Sequence, residues 1–316
     1  MISLNLVQRI AVSCSLAVPL AFPQSVPGVT YVDQPKGIDL ATLIRMWPNL
    51  QIYAGLLARG EGTEVRKSLE TRAAARSASI GEFNLLAQLE WQHGDLEQAD
   101  AAIAHALARG PNNPLNTFQQ AMVNFAHLRR ATNVFDRWIW QRRTREAYAR
   151  TFALDPKNVS ARYYLIYSYL NTPPLLGGDK GKALELAEGG IVLGQKEFYS
   201  VRADVHRERG ERQAAAADYD TAISLKVIKL GGLVDAAQQA IGLGEMDRAK
   251  KYLEFAIYCR SDASSPFEAL GDYYVRLNNK TEAAKYYQLA LLKDPGFNKY
   301  PEKPIRNAEK LRSLQK

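Results

Sequence analysis

The stretch from Asn171 to Lys182 comes closest to a chemical motif, because its glycines and lysines are spaced almost as in a phosphate-binding loop. Such a loop has four residues between its first glycine and the Gly-Lys pair, followed by a hydroxyl residue that holds magnesium. Here Gly177 lies one position too close to Gly181, and Ala183 stands where the hydroxyl is required. No strand pattern precedes the stretch. We therefore interpret it as a structural loop.

The other residue types that carry catalysis show no useful spacing. No i, i+4 pair joins two of the four histidines, or a histidine and a cysteine, so the sequence predicts no metal site. No serine lies in a nucleophile elbow. The carboxylates Asp218 and Asp220 are expected on a solvated helix surface. The sequence therefore predicts no enzyme and no cofactor.

A basic and aromatic segment from Arg129 to Arg150 is a second candidate for binding. It holds seven arginines against two acids, with Trp138 and Trp140 among them. This mixture is suited to nucleic acid, anionic lipid or an acidic partner. The structural alternative is a lengthened helix pair whose Trp rings fill the added space beneath the Arg stems. We favour that alternative, and expect no nucleic acid partner, because the N-terminal leader predicts export. The candidate basic residues are Arg129, Arg130, Arg137, Arg142, Arg143 and Arg145.

A repeated helical pattern in the sequence determines where these candidate segments lie in the fold. From Ser264 to Phe297, two apolar patterns of helical period are separated by a polar turn and end at Asp294-Pro295. The second pattern contains a stripe of small, large and small residues, which lets two helices approach closely. This stripe is Ala283, Tyr287 and Ala290. A lone hairpin cannot bury it, so the pattern predicts neighbouring repeats, with Ala283 and Ala249 buried where helices cross.

The stripe recurs along the chain, and its last three copies are spaced by 34 residues. Its earlier copies are Ala249, Leu253 and Ala256, then Ala215, Tyr219 and Ala222, then Ala183, Ala187 and Gly190, with a further copy at Ala99, Ile103 and Ala106. Glycine or asparagine precedes each copy by five residues, at a turn that favours a positive φ. These turn residues are Gly94, Gly178, Gly210, Gly244 and Asn278.

The unit resembles the tetratricopeptide repeat, a helix-turn-helix of this period with small-large-small positions and a closing proline. About six units fit between residues 81 and 297, and the second, Pro114 to Asn158, is about eleven residues longer than the period. The resemblance implies an all-α fold, a right-handed α-solenoid with capping helices. It also implies a scaffold that binds a protein or peptide, since these arrays present interchangeable surfaces.

The resemblance further implies that side chains about five, nine and twelve residues into each first helix face an inner groove. The candidate partner-binding residues, called the groove residues below, are Trp91, Phe118, Met122, Phe125, Tyr163, Tyr167, Asp204, Arg207, Gln238 and Asp272. Their first half is apolar and aromatic, and their second half is polar with net acid. An alternative interpretation makes Phe118, Met122 and Phe125 part of the core between repeats, and it stays open at this point.

The flanking regions are expected to cap the array. Residues 26–80 contain a short helix that should end before Trp47-Pro48 and a longer one over residues 61–78. The stripe of Val65, Leu69 and Ala73 on the longer helix should pack on the first repeat. Residues 298–316 are expected to form a C-terminal capping helix from about Pro304. Its apolar face should cover the last repeat, while its lysines and arginines face water. That face consists of Ile305, Ala308, Leu311 and Leu314.

Residues 1–25 are predicted to be an export signal. Arg9 supplies its positive end, and the apolar run that ends at Phe22 is too short to span a bilayer. A lipid anchor at Cys14 is disfavoured, because most of the apolar run follows that cysteine instead of preceding it. The expected location is the periplasm. The mature chain then keeps only Cys259, which is predicted to be buried and can form no internal disulfide.

The composition is that of a soluble globular protein, with 47% hydrophobic and 23% charged residues, and the net charge of +8 disfavours basic partners. The leading hypothesis is a non-catalytic scaffold of the envelope or the secreted fraction. One alternative is a component that hands a small apolar ligand to a transporter, for which an enclosed apolar tunnel would be needed. The other is a polyanion or membrane-surface binder acting through Arg129–Arg150, with steep salt dependence. The oligomeric state is not predicted.

Overall fold

The computed structural model describes residues 27–31, 38–293 and 302–314, with side chains from residue 306 onward in the last segment. The predicted export signal with Cys14, the closing Pro295 and the side chain of Ile305 lie outside the described residues. Residues 30–232 form one compact unit, and the helices from residue 233 onward belong to a second.

The described residues contain sixteen α-helices. They are α1 (Leu40–Met46), α2 (Gln51–Ala58), α3 (Gly62–Ala74), α4 (Ile80–His93), α5 (Leu96–Arg109), α6 (Pro114–Arg130), α7 (Val134–Leu154), α8 (Val159–Asn171), α9 (Lys180–Val192), α10 (Phe198–Arg209), α11 (Arg212–Ser224), α12 (Leu230–Leu243), α13 (Met246–Cys259), α14 (Ser264–Arg276), α15 (Lys280–Lys293) and α16 (Glu302–Ser313). From α4 to α15 they run in consecutive pairs, which confirms the all-α repeat architecture.

Two short strands are the only β-structure in the described part of the chain. Strand β1 (Thr30–Tyr31) pairs in parallel with β2 (Val227–Ile228). Thr30 lies opposite Val227, and Tyr31 lies opposite Ile228. The sequence analysis did not predict them, because a two-residue strand is too short to show an alternating pattern.

The predicted stripes are buried in every repeat where they were placed, including Ala249 and Ala283, which have no exposed surface. The close approach of the helices is visible at Gly271 of α14, where a Cβ atom would lie 2.3 Å from the Tyr287 ring of α15. The small residues therefore let the first helix of the pair lie directly on the large residue of the second.

The turns agree with the sequence at four of five positions. Gly94, Gly210, Gly244 and Asn278 all have a positive φ. The prediction for Gly178 was wrong, because the left-handed residue in that turn is Gly177, with a φ of 90°. A Cβ atom on Gly178 would lie 1.7 Å from the Thr172 carbonyl oxygen, so this glycine is needed for space. Because residues are inserted in this turn, the residue with a positive φ lies one position earlier than the repeat spacing predicts.

The N-terminal helices α1 and α3 form where they were predicted, although α3 ends at Ala74 instead of residue 78, and α3 packs on the first repeat. Asp39 caps α1, which ends at Met46 ahead of Trp47-Pro48. Val65 and Leu69 of α3 are fully buried. Two ion pairs add to this contact, Arg66 to Glu90 at 3.2 Å and Arg72 to Glu82 at 2.7 Å. Helix α2, between them, was not predicted.

Candidate functional site

The groove residues of α6 lie partly in the core. Phe118 and Met122 are buried. The ring centroids of Phe118 and Tyr148 are 5.8 Å apart, and the Tyr148 hydroxyl donates to the Met122 sulfur at 3.3 Å. Phe125 and, on α4, Trp91 are half-buried. Of this apolar half, Trp91 and Phe125 therefore keep surface that a partner can contact without rearrangement.

The aromatic groove residues of α6 and α8 form one continuous cluster. Tyr163 and Tyr167 have ring centroids 4.6 Å apart, and Tyr163 meets Tyr164 edge-on at 5.6 Å. Tyr164 in turn lies 5.6 Å from Phe125. Tyr163 is buried, whereas Tyr167 is half-buried. The structure thus brings together the aromatic groove residues Phe125, Tyr163 and Tyr167, which sequence spacing had placed on two separate repeats.

Asp204 of α10 is a fully buried carboxylate held by three donors. The Tyr167 hydroxyl donates to it at 2.5 Å, the Lys229 ammonium at 2.6 Å, and the Tyr219 hydroxyl completes the set. Burial, together with the neighbouring Asp204 charge, raises the pKa of Tyr167 well above its ordinary value, so the phenol stays protonated and donates. Asp204 therefore joins α8, α10 and α11 to the segment that follows β2.

The remaining polar groove residues are more open. Arg207 is half-buried and contacts Glu208 at 3.2 Å. In the second unit, Gln238 is exposed and Asp272 is half-buried. Asp272 is already engaged, because it accepts a hydrogen bond from the Tyr287 hydroxyl at 2.7 Å.

The C-terminal helix α16 neutralises the acidic end of the groove residues. Lys310 lies 2.7 Å from Asp272 and 3.1 Å from Glu268, and Arg306 lies 2.5 Å from Glu268. The expectation that the basic residues of α16 face water was therefore wrong for Lys310, whereas Arg306 pairs with Glu268 and stays exposed. Glu268 is buried, so its negative charge requires a positively charged partner. Helix α16 supplies two such partners, Arg306 and Lys310.

The chain's own lead-in segment binds at the start of the array. The Ile38 N–H donates to the Gln88 side-chain oxygen at 2.9 Å, and the Gln88 amide donates back to the Ile38 carbonyl at 2.9 Å. Gln88 lies nine residues into α4, at a groove position. Trp47 packs on Gly81, at another position on α4. The two residues are so close that a Cβ atom added to Gly81 would lie 2.5 Å from the Cβ atom of Trp47. The sequence held no signal for these contacts, since neither involves a periodic pattern.

The arginines of Arg129–Arg150 mostly support the lengthened repeat. Trp140 stacks on His127 with centroids 4.0 Å apart, and Arg143 lies 4.8 Å over Trp140. Arg142 lies 5.2 Å over Trp138. Two further arginines, Arg130 and Arg145, donate to the backbone carbonyls of Gly94 and Gly177 in neighbouring turns, at 2.6 and 2.8 Å. Arg129 and Arg137 are exposed.

The described residues contain no cluster of three or more His, Cys, Asp or Glu side chains arranged to hold a metal ion. Asp218 was expected on a solvated surface, but it is buried and accepts two hydrogen bonds from Arg202, at 2.7 and 2.8 Å. Cys259 is buried, and desolvation raises the pKa of its thiol to about 11. This thiol is therefore protonated and unreactive at neutral pH.

Three clefts in the described residues are lined by charged side chains. One of 410 Å³ includes Asp100 and Arg143, one of 610 Å³ includes Glu97 and Arg130, and one of 270 Å³ includes Arg45. None of the three is the enclosed apolar tunnel that the small-ligand alternative requires.

Paired helices with buried small-large-small stripes and left-handed turns define a helical repeat protein of the α-solenoid class. Residues 267–296 match the family model of the tetratricopeptide repeat. The chain thus has the fold of tetratricopeptide repeat proteins, and its last repeat also matches the family in sequence. No curated protein matches the sequence at a significant level.

Solved structures share this fold at low sequence identity. A tetratricopeptide repeat protein from Parabacteroides merdae ATCC 43184 is 14% identical, with a TM-score of 0.58 over 84% of this chain and 97% of that one. PilW, a type IV pilus biogenesis factor, is 14% identical, with a TM-score of 0.53 over 75% and 98%. Yeast Tom70 is 14% identical, with a TM-score of 0.56 over 75% of this chain and 47% of its own. Within the described residues, no helix is long and apolar enough to cross a membrane.

Proposed function

We propose that this chain is a non-catalytic scaffold that binds an extended segment of a partner protein along the groove residues of its first unit. A tetratricopeptide fold supports a role in protein–protein interaction. The observation that carries the finer proposal is the pairing of Gln88 with both backbone groups of Ile38, at 2.9 Å each. At this groove position the array already binds the backbone of another segment. Such binding does not depend on which side chain the bound residue carries.

The neighbouring groove residues supply what backbone pairing lacks, which is specificity for side chains. Trp91, Phe125 and Tyr167 are half-buried, so each offers part of a rigid ring to a partner. Aromatic rings of this kind give large contact area at small entropic cost and often anchor a partner. Gln88 is already paired with Ile38, so the aromatic rings would hold the partner, and apolar anchoring on them suits an extended segment with spaced apolar side chains.

Site-specific photo-crosslinking in the producing cell tests this proposal. A photoreactive phenylalanine analogue replaces Phe125 in one variant and Tyr258 in a control variant, where the side chain is 58% exposed and is not a groove residue. We expect a discrete adduct with another protein from position 125 only. Absence of an adduct at position 125, or the same adducts from both positions, would contradict the groove assignment.

We also propose that the protein acts outside the cytoplasm, in the periplasm or the secreted fraction. The support is in the sequence, where Arg9 precedes an apolar run that ends at Phe22. Fusing residues 1–40 to a phosphatase that folds only in an oxidising compartment tests this. We expect activity that is lost when Arg9→Glu is combined with a charged substitution in the apolar run. An inactive wild-type fusion made at normal levels would contradict export.

A further inference from the structure

Two neighbouring repeats carry insertions, and the enlarged turn of one repeat packs against the lengthened helix α7 of the other. Helix α6 has 17 residues and α7 has 21, against 14 and 14 in the preceding pair, so their hairpin is longer than its neighbour. The α8–α9 turn contains the added Pro173 to Gly177. Arg145 of α7 donates to the Gly177 carbonyl at 2.8 Å, and Gln141 to the Thr172 hydroxyl at 3.4 Å. This edge of the two repeats therefore comprises the start of α7 and the α8–α9 turn, which packs on α7 at Gln141 and Arg145.

This edge exposes large apolar side chains at both turns. Val134 and Phe135, at the start of α7, are 82% and 68% exposed, and Leu175 and Leu176 of the other turn are 98% and 45% exposed. The Trp138 ring lies 6.1 Å from Phe135 and continues the apolar surface. Grouped apolar side chains in solvent mark an interaction surface, whereas isolated ones do not. We call these five residues the apolar tips.

Arginines flank the apolar tips that belong to α7. Residues 129–143 contain five arginines and one acid, Asp136. The Asp136 carboxylate is engaged at the start of α7, where it accepts a hydrogen bond from the Asn133 amide at 2.5 Å. Arg129 and Arg137 are exposed, and Arg142 reaches Glu146 only at 3.7 Å. The charge of this edge therefore complements an anionic surface.

We propose that the apolar tips and their arginines dock the protein on an anionic lipid bilayer. The tips would enter the interfacial region, where Phe, Leu and Trp are favoured, while the arginines contact lipid phosphates. The tips lie at the ends of hairpins, a shape that fits a plane better than it fits an extended peptide. This docking is independent of the groove residues, so the scaffold would hold its partner at the membrane surface without spanning it.

Co-sedimentation with lipid vesicles tests the apolar part. The probes are vesicles of phosphatidylcholine alone and of phosphatidylcholine with about a quarter phosphatidylglycerol, which supplies the negative surface potential. We expect the protein to partition at least about tenfold more strongly onto the anionic vesicles. Phe135→Ser combined with Leu175→Ser should lower that partition about tenfold. The control pair Ile52→Ser and Val192→Ser, also exposed but outside this edge, should change it less than about twofold.

Arginine substitutions, with matched control variants, test the electrostatic contribution to vesicle binding. Arg137→Gln with Arg142→Gln should weaken binding to the anionic vesicles about fivefold or more and flatten its salt dependence. Lys196→Gln with Arg212→Gln, two exposed cations of other turns, should do neither. Equal binding to both vesicle types, no binding to either, or an equal loss in the control pairs would overturn the proposal. If polyglutamate binds the edge regardless of Phe135 and Leu175, the surface takes an acidic protein and the lipid proposal fails.

Discussion

At the scale of single residues, Asp204 shows how a groove residue can be structural. Its side chain is fully buried, and its three donors come from α8, α11 and the segment after β2. A buried carboxylate is tolerated only when donors replace the water that it has lost. Sequence spacing had placed Asp204 among the candidate partner-binding residues. It could not identify the donors, because Lys229 is 25 residues away along the chain.

Tyr167→Phe removes one of these donors and keeps the ring. We expect the free energy of unfolding to fall by about 1–3 kcal/mol, because a buried charged acceptor loses a hydrogen bond. Denaturant unfolding followed by circular dichroism measures the change. Tyr258→Phe, at an exposed tyrosine, is the control and should shift stability by less than about 0.5 kcal/mol. If Tyr167 were mainly a partner anchor, Tyr167→Phe would leave the unfolding midpoint where it is in the wild type.

Two carboxylates of α4 have pKa values shifted in opposite directions. Burial alone would raise the pKa of Glu82, but hydrogen bonds from the Ser79 N–H, the Tyr53 hydroxyl and Arg72 lower it below the ordinary glutamate value. For Glu90, burial raises the pKa and contact with Glu70 raises it further, against the opposing effect of Arg66. Both groups join α4 to the N-terminal helices, so their charge states affect how firmly those helices are held.

These shifts predict opposite pH dependences of stability. Relative to Glu82→Gln, the wild type should be stabilised at neutral pH and lose that advantage as the pH falls through the lowered pKa of Glu82. Relative to Glu90→Gln, the wild type should gain stability as the pH falls through the raised pKa of Glu90, since the buried charge is then removed. Unfolding free energies of the three proteins between pH 3 and pH 7 measure both, at roughly unit pH intervals. Parallel curves for the three proteins would contradict the assignments.

At the scale of elements, the glycine of the last repeat sets the separation of its two helices. A Cβ atom on Gly271 would lie 2.3 Å from the Tyr287 ring, and that ring is held by the hydrogen bond from its hydroxyl to Asp272 at 2.7 Å. Because Tyr287 is buried, it has little room to turn aside. The helices must therefore separate if a methyl group is added.

We expect Gly271→Ala to destabilise the protein by about 1–3 kcal/mol through overpacking. Gly242→Ala is the matched control, since Gly242 also lies in a helix and has no atom within 4 Å of its ideal Cβ position. That substitution should be neutral or stabilising by up to about 1 kcal/mol, because alanine favours helices. Thermal unfolding of the two variants measures the contrast. A gain in stability in both would show that Tyr287 can move freely.

The repeat helices were predictable because each stripe is local and is copied along the sequence. The turn of the third repeat was not, since its inserted residues have no period, and the positive φ falls on Gly177 instead of Gly178. Helix α2 was missed because its apolar residues do not continue the repeat. The pairing of β1 with β2 joins residues far apart in sequence, so no local pattern could indicate it.

At the scale of the whole molecule, each end of the repeat series is covered by segments of its own chain. At the start, Gln88 holds Ile38, and α3 packs on α4. At the other end, Lys310 and Arg306 of α16 pair with Asp272 and Glu268. The sequence predicted that the ends would be capped, because a stacked repeat leaves one apolar face open. It did not predict that the caps would also occupy groove positions, which depends on hydrogen bonds and ion pairs between residues 38 to 50 apart in the sequence.

Truncation after residue 298 removes α16 and tests the capping role. Repeats contact mainly their neighbours, so the loss should be local. We expect backbone amides of α14 and α15 to exchange hydrogen at least about tenfold faster, while those of α4 and α5 keep their wild-type rates. Solubility should also fall, because the apolar face of the final repeat becomes exposed. Hydrogen exchange followed by mass spectrometry resolves these helices separately.

A full-length variant separates charge pairing from apolar cover in this cap. Arg306→Gln with Lys310→Gln keeps α16 but leaves the buried Glu268 without its two cations. An uncompensated buried charge is costly, so exchange in α14 should quicken in this variant too, and solubility should stay close to wild type because the apolar cover is kept. Wild-type exchange in both the truncated and the full-length variant would show that α16 does not cap the array. Faster exchange spread evenly from α4 to α15 would contradict the nearest-neighbour character of the repeats.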